Sequence, residues 1–105
     1  MEIEKTTEKY DLIQEGASYV IDFGEVKRAE DKSVYILIKD VEEADRLTLS
    51  GTCGCTTTER TIVDKTSTSF KITYSDCDRD FKKAVIVKYD NIQLTTILLK
   101  GRCSQ

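Results

Sequence analysis

From residue 17 onward apolar and polar positions alternate with a period of two, in short segments broken by polar turns. Val, Ile, Thr, Tyr and Phe dominate these segments, and such residues suit a pleated, half-buried surface. The segments are SYVIDF (18–23), SVYILIK (33–39), RLTLS (46–50), TTERTIV (57–63), SFKITYS (69–75), KAVIVKY (83–89) and IQLTTILLK (92–100). In SVYILIK, Val34, Ile36 and Ile38 face one way and Tyr35, Leu37 and Lys39 the other. Asp90-Asn91 joins the last two segments, a pair that tolerates the left-handed backbone of a tight hairpin. Seven short strands at spacings near ten residues predict an all-β fold, a seven-stranded antiparallel immunoglobulin-like β-sandwich over residues 17–105. The positions expected inward are Ile21, Phe23, Ile36, Ile38, Leu47, Leu49, Ile62, Phe70, Ile72, Val85, Val87, Ile97 and Leu99. VEEADRL has room for no more than a helical turn. Residues 1–16 are mostly polar, with Ile3, Tyr10, Leu12 and Ile13 as apolar points, and read as an N-terminal arm that docks on a neighbouring subunit or returns to its own sandwich as an extra edge strand.

Composition narrows the function classes. At 105 residues the chain is one domain with one core. Sixteen basic and nineteen acidic residues are well mixed for a net charge of −3, which offers no electrostatic footprint for nucleic acid or an anionic membrane. No apolar run approaches the roughly 20 residues that span a bilayer. The start MEIEKTTEKYD is acidic where a signal peptide is basic and then apolar, so a cytoplasmic location is expected for the chain as written. There is no histidine, which removes Ser-His and Cys-His nucleophile systems and an imidazole base. The glycines are scattered singly, with no phosphate-cradling loop, and the acidic runs DVEEAD and DCDRD lack the spacing of a calcium loop. Enzyme activity is not expected.

Four segments, IDFGEV, TCGCTTTE, FKKAVIVKYDN and LLKGRC, resemble in order and spacing the abnormal-spindle/Hydin-type (ASH) immunoglobulin-like domains, specifically the bacterial and phage branch with F-G-x-V, then C-G-C-T, then a last strand ending in glycine. The resemblance covers about residues 19–101. It departs at DKTSTS, where such domains carry Pro-Gly before the fifth strand. It implies a sandwich used as a structural or docking module, without catalytic residues. By analogy with small immunoglobulin-like accessories of phage heads, necks and tails, a virion component assembled in the host cytoplasm is expected, with other protein subunits, or further copies of itself, as partners.

Four cysteines remain: Cys53, Cys55, Cys77 and Cys103. In a simple antiparallel succession the first, third, fifth and seventh strands run the same way, and each of these cysteines follows the third, fifth or seventh. All four sulfurs are therefore expected at one pole. Three occupants fit them. Four thiolates without a competing histidine match one closed structural zinc site. Two disulfides, Cys53 with Cys103 and Cys55 with Cys77, suit an oxidising compartment. Free thiols as packing residues are the third. The alternative to a docking module is accordingly a small zinc-binding or thiol protein whose cysteine pole is its functional site.

Overall fold

The computed structural model describes residues 1–5, 9–52, 54–75 and 79–104. Nine strands occur among them: β1 (Glu2–Lys5), β2 (Leu12–Glu15), β3 (Ser18–Lys27), β4 (Lys32–Lys39), β5 (Leu47–Gly51), β6 (Thr56–Asp64), β7 (Ser67–Tyr74), β8 (Phe81–Tyr89) and β9 (Ile92–Ser104). They form a four-stranded sheet in the order β1-β4-β7-β6 and a five-stranded sheet in the order β2-β3-β9-β8-β5. The helical turn expected in VEEADRL is a 3-10 turn at Ala44–Arg46. The seven segments read from periodicity correspond to β3 through β9.

Strands β1 and β2 raise the count from seven to nine, and both come from the stretch read as an arm. β1 pairs with β4, setting Ile3 against Ile38, and β2 pairs with β3, setting Leu12 against Ile21. Ile3 and Leu12 pack against the core, and Tyr10 is buried with its ring edge-on to Phe23 at 4.9 Å. Few as they are, these apolar points fall where they cap the two sheet edges that β4 and β3 would otherwise leave open. β1 and β2 thus add an edge strand to each sheet.

One pairing is not antiparallel. β3 runs parallel to β9, from Tyr19 opposite Ile97 to Lys27 opposite Ser104. The first and last long strands point the same way, so when they become neighbours they are parallel. The register shifts between Asp22 and Glu25, where Gly24 has φ of +70° and donates its N–H to the Asp22 carboxylate at 2.8 Å. The glycine of the F-G-x-V motif is thus the bulge residue that lets β3 follow β9.

The core lies between the sheets. Of the thirteen positions expected inward, twelve are buried, and Ile62 is the exception at 49% exposure. β6 is an edge strand whose pairing with β7 is irregular between Ile62 and Asp64, which leaves Ile62 at the edge of its sheet. Further up β6, the Thr58 hydroxyl donates to the Leu49 carbonyl at 3.2 Å, and the Arg60 guanidinium donates to the Leu47 carbonyl at 2.8 Å. These side chains cover backbone acceptors of β5 that face no strand. In the β6–β7 turn the Asp64 carboxylate accepts the Thr66 N–H at 2.9 Å and the Thr66 hydroxyl at 3.1 Å. Asp90 and Asn91 have φ of 50° and 66°, as expected for a tight hairpin.

Candidate functional site: the cysteine pole

β5, β7 and β9 all end at one pole of the sandwich, where β6 and β8 begin. Gly51 closes β5 where a Cβ would meet Thr56 Cβ at 2.9 Å, so only glycine lets the chain reverse into β6 here. After the reversal the Cys55 carbonyl accepts the Ser75 N–H at 2.9 Å, which binds the start of β6 to the end of β7. Cys103, near the end of β9, lies opposite Val26 of β3 and donates its N–H to the Asp80 carboxylate at 3.1 Å. Asp80 immediately precedes β8, so one carboxylate ties the last strand to the connection entering β8.

Beneath these contacts sits a stacked pair. The Tyr74 and Phe81 rings lie 3.9 Å apart and 13° from parallel. Phe81 presses on Gly101, where a Cβ would meet its ring at 2.8 Å and the Gly24 carbonyl at 3.0 Å. The glycine that ends the apolar run of the last strand is therefore the floor on which the aromatic pair rests. Cys55 and Cys103 are half-buried against the same core cluster.

Both cysteines are disulfide-bonded, and none of the described cysteines is free. Cys53 and Cys77, the other two residues expected at this pole, lie outside the described residues. A sulfur in a disulfide carries no thiolate charge and is not a zinc ligand; a four-thiolate centre would need the reduced protein. Among the described residues no three His, Cys, Asp or Glu side chains are grouped as a metal site. A depression of about 470 Å³ opens beside Cys55, with Tyr74, Arg79, Asp80 and Phe81 in its wall.

Sequence reasoning did not single out the opposite pole. There the 40–46 connection is bound to its neighbours: Val41 N–H to the Thr66 carbonyl at 3.2 Å, Ala44 N–H to the Lys65 carbonyl at 2.7 Å, Glu43 N–H to the Tyr89 hydroxyl at 3.2 Å, and Asp90 N–H to the Arg46 carbonyl at 3.3 Å. Arg46 sits between Glu43 at 2.8 Å and Asp90 at 3.1 Å, and these carboxylates, Asp90 foremost, raise its already high pKa. One signal was available in the sequence. The adjacent apolar residues Ile62 and Val63 break strict alternation, so one of them has to face away from the core.

No family model, curated protein or solved structure matches the chain.

Proposed function

We propose that this chain is a non-enzymatic, disulfide-stabilised interaction module that docks into a larger protein assembly. The observation that carries this reading is the covalent state of the cysteine pole, where Cys55 and Cys103 tie down strand ends and serve as scaffold. A strand order that sets β1-β4-β7-β6 against β3-β9-β8-β5 supports an immunoglobulin-type sandwich, with β2 as an added edge, and such sandwiches serve widely as docking units. Disulfides persist in secreted, periplasmic and virion-surface settings, so an accessory protein on a virion or other exposed assembly suits the cysteine chemistry better than a reducing cytosol. The chain holds no histidine for acid–base work at neutral pH.

A second reading keeps a zinc-binding or thiol protein, because the two described sulfurs do share a pole. One experiment addresses both. Native mass spectrometry of protein isolated from its own source, with and without reductant, is expected to show an oxidised chain in stoichiometric complex with other protein subunits. An isolated chain carrying one zinc on reduced thiols would overturn the docking reading in favour of the metal protein.

A further inference from the structure

The pole opposite the cysteines combines three properties. First, it is apolar. Among the described residues seven large hydrophobic side chains are exposed, and four of them, Ile62, Val63, Ile92 and Leu94, lie at this end, with exposures of 49%, 57%, 66% and 43%. Leu94 also borders a shallow depression of about 220 Å³ with Val41 and Tyr89. Second, it is acidic. Segments 40–46, 64–66 and 90–91 hold Asp40, Glu42, Glu43, Asp45, Asp64 and Asp90 against Arg46 and Lys65, six acids and two bases, for a local charge of −4. Arg46 is already engaged by Glu43 and Asp90. Third, it is held in shape by the hydrogen bonds among the 40–46, 64–66 and 89–91 connections described above, so little conformational freedom is left to lose on binding.

Apolar side chains exposed on either side of the acidic 40–46 connection, Ile62 beside Glu43 and Asp45 and Leu94 beside Glu42, are complementary to a segment that is apolar and basic. We infer that this pole is the docking surface of the module, and that its occupant is a lysine- or arginine-rich apolar segment of another protein. The apolar side chains of that segment cover Ile62, Ile92 and Leu94, while its cations face Glu42, Asp45 and Asp64. This rests on the interaction-module reading and adds which surface is used and what chemistry it takes.

The test is a titration of the isotope-labelled, oxidised full chain with a synthetic ten-residue peptide alternating leucine and lysine, followed amide by amide in NMR, beside the matching leucine–glutamate peptide. The expected result is movement of resonances confined to residues 40–46, 62–66 and 89–94 with the lysine peptide, little with the glutamate peptide, and loss of binding in about 0.5 M salt. The double variant Glu42→Gln with Asp45→Asn, and separately Ile92→Ser, should each weaken binding about tenfold. All three positions lie at the surface, and unchanged spectra elsewhere in the chain will report intact folds. Movement at the cysteine pole instead, equal binding of both peptides, or variants that bind like the parent would overturn the inference. So would concentration-dependent self-association through these same residues, which would make a second copy the occupant. Complexes isolated from the natural source keep the two readings apart: a complex that tolerates the variants removes only this surface, whereas a chain that forms no complex at all removes the module reading itself.

Discussion

At the cysteine pole Cys55 and Cys103 are disulfide-bonded and an aromatic pair is wedged against Gly101, whereas at the opposite pole the 40–46 connection is held by hydrogen bonds and by the ion pairs of Arg46. The aromatic pair is turned inward at the first end, whereas Ile62, Val63, Ile92 and Leu94 are left outside at the second. Tyr74 and Phe81 are 3% and 7% exposed, while Ile92 is 66% exposed. The contrast has a physical basis. Covalent links and buried rings stabilise a strand end by turning its large side chains inward. Backbone hydrogen bonds between connections shape a surface without consuming its apolar side chains, which remain available to a partner.

The largest break in this comparison comes from reduction. Removing disulfides from a domain of this size is expected to cost about 2–5 kcal/mol, read as a lower urea midpoint with reductant present, and Cys55→Ser should reproduce part of the loss. An unchanged midpoint would mean that the cysteine pole is not held covalently. Next, Gly101→Val places a branched side chain against Phe81 and the Gly24 carbonyl, which have no room for it. A loss of about 1–3 kcal/mol is expected in the same assay. At the other pole, Tyr89→Phe removes the hydroxyl that accepts the Glu43 N–H and is expected to cost about 1 kcal/mol. Hydrogen exchange should then quicken at Glu43 and not at Cys103.

The smallest effect is electrostatic and separates two kinds of anchoring. The Asp64 carboxyl is held below its ordinary value of 3.8 mainly by the Thr66 backbone N–H, and Glu30, in the β3–β4 connection, is held below its ordinary 4.5 mainly by its hydrogen bond to Lys32 at 2.6 Å. Both are depressed carboxylates, so each stabilises the fold above its ordinary pKa. That contribution is lost as the pH falls through the lower, folded value. Titration followed by carboxyl-carbon NMR should show both midpoints depressed. Added salt should move Glu30 part of the way back, by the share that the charges of Lys32, Lys27 and Lys9 contribute, and leave Asp64 nearly unmoved, because charge attraction is screened and a local hydrogen bond is not.

Much of this architecture was legible in the chain itself. Period-two alternation located β3 through β9, and twelve of thirteen inward positions followed from it, because a pleat commits each residue to a face as soon as the strand is recognised. The parity of strand direction was enough to bring Cys55 and Cys103 to one end. What alternation lacks is information about neighbours. It did not distinguish an edge strand from a central one, so Ile62 was expected inside, although β6 is the edge strand of its sheet and its pairing is irregular at Ile62. It did not show that Ile3, Tyr10 and Leu12 close two sheet edges, since three scattered apolar residues acquire that meaning only beside Ile38, Phe23 and Ile21. Nor did it reveal the acidic, apolar pole, whose parts come from connections up to about fifty residues apart in the chain. Strand identity and facing are local properties of a pleated backbone, and the sequence by itself determined them. Which strands lie at edges, where sulfurs bond and which side chains stay outside depend on long-range pairing, and only the tertiary structure decided those.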